Sequence, residues 1–202
     1  MNRLPCLVLG LIGAGCAQAA GAAELLVHVV DAEGRALDDA VVALLPQGRS
    51  APPLAPGTQA TIEQRARQFR PSVTVVQTGT PVHFPNFDTV RHHVYSFSPI
   101  KRFELKLYVG TPSHPVVFDK PGTAVLGCNI HDDMVAWVHV VDTPWFAVTR
   151  GGQAQLRQLP AGAYQLQAWH PRWPLERAPH RQPLVLSADA SPTVTLRLAV
   201  ER

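Results

Sequence analysis

Eight residues, Gly127-Cys128-Asn129-Ile130-His131-Asp132-Asp133-Met134, restrict the folds open to this chain more than any other stretch. The apolar run Thr123-Ala124-Val125-Leu126 leads in, and Val135-Ala136-Trp137-Val138-His139-Val140-Val141 leads out. Both runs read as strands. The tight loop between them therefore carries a thiol, an imidazole and a thioether in the spacing Cys-x2-His-x2-Met. Soft sulfur donors combined with imidazole suit copper, and two His, one Cys and a weak axial Met form an electron-transfer copper set. The loop supplies Cys128, His131 and Met134, so one further His is needed. Met134 is one of two Met residues, the other being the initiator.

The further His lies upstream, in Asn86-Phe87-Asp88-Thr89-Val90-Arg91-His92-His93-Val94. Neighbouring strand residues face opposite ways, so only one of His92 and His93 can face the loop. This pair of segments resembles the cupredoxins, the blue copper family of amicyanin and plastocyanin. There a strand ends in Asn-x-Asp, a His precedes Val, and a Cys-His-Met loop follows much later. The chain from about Glu24 onward also resembles bacterial periplasmic cupredoxin-like proteins labelled methylamine utilisation proteins. The resemblance implies one type 1 copper held by His92, Cys128, His131 and Met134. Aligning Val94 with the family's His-Asn-Val places the ligand at His92, with His93 the alternative. His93 then stands where the family has an Asn, and Asn129-Ile130 where relatives often have a Pro.

The cysteines and the N-terminus suit an exported copper protein. Arg3, the apolar run from Leu4 to Ala14, and Ala17-Gln18-Ala19 read as a signal peptide over residues 1–19. The expected location is the periplasm, with no membrane span in the mature chain. Gly13-Ala14-Gly15-Cys16 half resembles a lipobox, which leaves anchoring at Cys16 as an alternative. Of three Cys, removal of the signal leaves Cys128 alone, so no internal disulfide can form. A metal would protect such a thiol by holding it as thiolate; the competing reading is a buried, inert Cys.

With 19 Pro, 14 Gly, and short apolar runs separated by turn formers, the chain reads as all-β. The helical candidate Ala60–Phe69, stopped by Pro71, is read as a turn or short strand. Residues 60–142 carry the cupredoxin pattern, expected as a Greek-key β-sandwich. The opening Val-x-Val-x-Asp-x-x-Gly-x-x-Leu-x-x-Ala-x-Val, and the later run Leu159-Pro160-Ala161-Gly162 through Trp169, resemble prealbumin-like and carboxypeptidase-regulatory-like sandwiches. Residues 24–47 and 143–202 are therefore expected to form one small discontinuous sandwich around the cupredoxin insert, since neither piece alone has strands for a two-sheet core. The alternative is one enlarged sandwich.

The formal net charge of +3 is scattered, with no basic run for nucleic acid. No zinc-protease, nucleophile-elbow or phosphate-loop motif is present. The expectation is a one-electron relay rather than an enzyme, serving a c-type cytochrome or a redox enzyme. The alternatives are a copper carrier or sensor without redox turnover, and a metal-free structural or carbohydrate-binding sandwich. Asp132 and Asp133 are candidate docking or tuning charges, and His83 is a candidate spare ligand.

Overall fold

A computed structural model describes residues 22–174 and 176–201. The signal-peptide reading of residues 1–19 and the lipobox Cys16 lie outside the described residues. The described residues are all-β. None of their helices is long and apolar enough to cross a membrane.

The chain begins with β1 (Ala23–Val30) and β2 (Val41–Pro46). The short strands β3 (Ala60–Thr61), β4 (Glu63–Gln64) and β5 (Phe69–Arg70) follow, where the sequence reads as a turn or short strand. Next come β6 (Val73–Gln77), β7 (Thr80–His83), β8 (His92–Ser96) and β9 (Phe103–Tyr108). Then follow β10 (Val116–Phe118), β11 (Gly122–Gly127) and β12 (Val135–Val141). The chain closes with β13 (Phe146–Val148), β14 (Gln153–Leu159), β15 (Gly162–Trp169), β16 (His180–Leu186) and β17 (Thr193–Arg197).

Strands from the two ends of the chain share sheets. One has the order β14-β1-β17 and the other β13-β2-β15-β16. β1 shows why it pairs there: Ala23, Leu25, Val27 and Val29 are buried while the residues between them are half-exposed. That alternation is the period of a strand with one face in a core. Leu25, Leu44, Leu166 and Leu196 belong to the resulting apolar cluster. We call this pair of sheets the terminal sandwich.

The central strands pair among themselves, as β6-β12-β11-β8-β9 and β10-β7-β3, with β4 and β5 a separate ribbon. A second cluster, including Ile62, Phe84, Phe118, Leu126 and Val138, fills the space between them. Cys128 and Met134 are members of it. The two sandwiches touch through the outer face of β6 and β12. Val73 joins the terminal cluster, Val75 and Trp137 pack on it, and the His139 ring stacks on Trp169 at 4.9 Å.

β7 runs from Thr80 to His83 and stops short of Asn86. Beyond it the Phe84 carbonyl accepts from the Gln64 amide and the Tyr108 hydroxyl instead of a ladder partner. β16 carries no clear strand signal because Pro183 sits inside it. It is tolerated because β16 is an edge strand, where a missing N–H costs no ladder bond.

Candidate metal centre

The hairpin β11–β12 sets the loop. Its ladder runs antiparallel from Gly122 opposite Val140 to Gly127 opposite Val135, so Cys128 and Met134 leave and re-enter at the same end. The loop closes on itself through Met134 N–H to the His131 carbonyl at 3.0 Å and Val135 N–H to the Asp133 carbonyl at 3.1 Å. On its other side β11 meets β8, with Gly127 opposite Tyr95. The register of β8 on β9 shifts between His92 and Val94, an irregularity of the kind that re-aims a side chain. This brings His92 over the loop.

The ligand atoms of His92, Cys128 and His131 all lie within 4.8 Å of one another. His92 and Cys128 are buried and His131 is half-buried. The two imidazoles meet edge to face, with ring centroids 5.0 Å apart. Both Nδ1 atoms are buried and have no hydrogen-bond partner. An orphaned buried acceptor costs roughly 1–3 kcal/mol, so two of them beside a buried thiol require compensation. Met134, 1% exposed, packs in the same cluster as Cys128.

The other nitrogen of His92 explains its orientation. Nε2 lies 2.8 Å from Asp88 Oδ2. A carboxylate there accepts a hydrogen bond from Nε2–H, which leaves Nδ1 as the lone-pair nitrogen. Asp88 is itself fixed by the Ala66 and Arg67 amides at 2.7 and 2.9 Å. Burial pushes its carboxyl up, but hydrogen bonds from Arg67 N–H, the His92 ring and Ala66 N–H outweigh this and hold it below the usual range. Asn86 ties the same loop: its Oδ1 accepts from Asp88 N–H, and its Nδ2 donates to the Val90 and Tyr108 carbonyls. Tyr108 is pushed up to about 12, first by burial, and its hydroxyl also bonds Gln64 and the Phe84 carbonyl.

His93 is not part of this cluster. Its ring lies against Tyr95, two residues on, with centroids 5.5 Å apart, and its Nε2 lies 2.9 Å from Glu104 Oε1. Its Nδ1 is also buried and unpartnered, but on the other face of β8 from His92. His83 bonds Gln59 at 3.2 Å and stands outside the cluster. Asp132 and Asp133 are exposed. Sequence reasoning gave Asp88 and Glu104 no role. The Asn86-x-Asp88 pair four residues before His92 was the available signal for Asp88; nothing local marked Glu104.

No family model matches this sequence, and no curated protein does. Among solved structures it is similar to the Cu-containing nitrite reductase from Thermus scotoductus SA-01, at 25% identity and a TM-score of 0.39. That likeness covers 48% of this chain but only 25% of the reductase chain. It is similar to a purple cupredoxin from Nitrosopumilus maritimus at 23% identity, over 41% of this chain and 99% of that one, with a TM-score of 0.37. The pseudoazurin from Hyphomicrobium denitrificans gives 23% identity over 41% of this chain and 75% of its own, also at 0.37.

Proposed function

We propose that this protein holds a single type 1 copper through His92, Cys128, His131 and Met134 and relays single electrons between partners in the periplasm. One observation carries the reading: the ligand atoms of His92, His131 and the buried Cys128 lie within 4.8 Å of one another, and both imidazoles keep a buried Nδ1 without a partner. Hydrogen bonds within the protein leave those three donors free, and their chemistry is the Cys-His-His part of the copper set. Copper bound there would supply a Cu(II)/Cu(I) couple.

The chain's own residues define what that couple could do. Asp88 holds the His92 ring, and the β11–β12 hairpin holds Cys128 and Met134, so the donors are fixed before metal arrives. A cage that is preset changes little between oxidation states and so suits rapid transfer. Ligands that are buried favour a relay over a carrier that must hand its metal on. His131 alone of the cluster is half-exposed, and Ile130 beside it is exposed, as are Phe87 and Val90 in the loop before His92. A c-type cytochrome or a redox enzyme with an apolar docking patch is the partner class this surface suits.

The test is the purified mature protein titrated with Cu(II), followed by visible absorption and EPR, with Cys128→Ser alongside. An intense blue band with a narrow copper hyperfine splitting, absent from the variant, is expected. A colourless complex indifferent to Cys128 would sink the relay and leave a copper carrier or a metal-free sandwich.

A further inference from the structure

A cleft of about 810 Å³ opens between the two sandwiches, on the outer face of β11 and β12, away from the cluster that holds Cys128. Its volume is in the range of small-molecule sites. Its floor is built by cross-strand neighbours: Thr123 lies opposite His139, and Thr123 Oγ1 is 2.9 Å from His139 Nδ1. Its roof is the outer face of β15 and β16, where Gln167 lies opposite Arg181. Ile100 and Pro179 add apolar surface to its lining.

Some of its polar atoms have no hydrogen-bond partner among the described residues. His139 is 1% exposed, and its Nε2 makes no hydrogen bond. Gln167 is 8% exposed, and its amide makes none either. Neither is sealed away as a buried orphan, so both groups open into the cleft. At the mouth, Arg177 lies over the Trp173 ring at 4.5 Å, and Arg181 stands on β16. Among the described residues neither guanidinium is in an ion pair. Two carboxylates also line the mouth: Asp142 is taken by the Thr78 hydroxyl, and Glu176 is free. These four formal charges cancel, so the cleft has no net bias toward an anion; the two guanidiniums, which are in no ion pair among the described residues, are the groups that would take an acid. Burial holds His139 down to about 4, so the imidazole meets a ligand as a neutral hydrogen-bonding group.

We propose that this cleft binds a small amphipathic carboxylate. Its acid group sits on Arg177 and Arg181, its apolar body lies against Ile100 and Pro179, and a hydroxyl-type substituent reaches Gln167 and His139. The site is separate from the candidate metal centre and does not depend on it.

The probe is 4-hydroxybenzoate, titrated into the full mature protein by calorimetry and followed by tryptophan fluorescence. Saturable binding at one site is expected. 4-Hydroxybenzyl alcohol, which keeps the shape without the charge, should bind roughly 10-fold or more weakly, the scale of one lost charge-assisted bond. Arg181→Gln and Gln167→Leu should each weaken the acid by a similar factor. Arg181 is exposed, so its variant keeps the fold, which circular dichroism checks. Cys128→Ser should bind the acid as the wild type does. No saturation at millimolar acid would mean a water-filled cleft and overturn the proposal. Equal binding of the neutral alcohol, or indifference to both substitutions, would overturn it as well.

Discussion

The nitrogen that His92 leaves unpartnered is chosen by a residue that need not touch any metal. Asp88 takes one side of the ring at 2.8 Å, and two backbone amides hold Asp88. Partners of this kind are worth about 10- to 100-fold in metal affinity. Asp88→Ala is therefore expected to weaken copper binding by about that factor, read by competition with a copper chelator, while a blue band persists at saturation. Unchanged affinity would show that packing alone orients the ring. The companion pair separates the two neighbouring imidazoles: His92→Ala should abolish the blue band and His93→Asn should keep it. Much at this scale was legible, because Cys128, His131 and Met134 sit within seven residues and their spacing is local. Strand alternation says only that one of His92 and His93 faces the loop; the preference for His92 comes from the family resemblance, through Val94. Glu104 was not legible, since its contact with His93 depends on the register of β9 against β8.

The elements show a different limit. The apolar run Val135–Val141 located β12, but it says nothing about what an outer face will meet. Trp137 and His139 on β12 turn away from the central core and toward the terminal sandwich, which depends on strands remote in sequence. Pro183 hid β16, and β16 contributes Arg181 to the cleft. His139 makes this packing measurable. Its pKa is near 6.5 when the chain is unfolded and is lowered to about 4 in the fold by burial. Between those values the unfolded chain binds the extra proton, so stability is full above pH 6.5, falls as the pH drops toward 4, and levels off below. The loss is roughly 3 kcal/mol. Burial, then the nearby Arg172 charge, lowers His170 as well and adds in the same direction. Urea melts across pH 4 to 7 should show this limb, and His139→Phe should flatten most of it. A variant with the wild-type slope would place the titration elsewhere.

On the scale of the whole molecule, two apolar clusters raise the question of whether the sandwiches unfold together. The chain leaves the terminal sandwich at Pro46 and returns to it at Phe146, so two connections join the halves. The contact between them is not a wet gap along its whole length. Val73 of β6 belongs to the terminal cluster, Val75 and Trp137 pack against it, and His139 lies flat on Trp169. Unfolding the central sandwich alone would expose those groups on both sides, and their burial opposes a partly folded state. The fold therefore predicts one calorimetric transition. Copper bound only to the native state should move all of it, since binding adds about 2.7 kcal/mol at a free metal concentration 100-fold above Kd. For a chain of this length that is a rise in Tm of roughly 5–10 °C. Trp137→Ala removes the largest side chain on the β12 side of the contact and should split the peak, leaving copper to shift only the part that holds Cys128. Two peaks in the wild type, with only one of them moving on copper addition, would show that the halves are energetically independent and that the interface merely places them side by side.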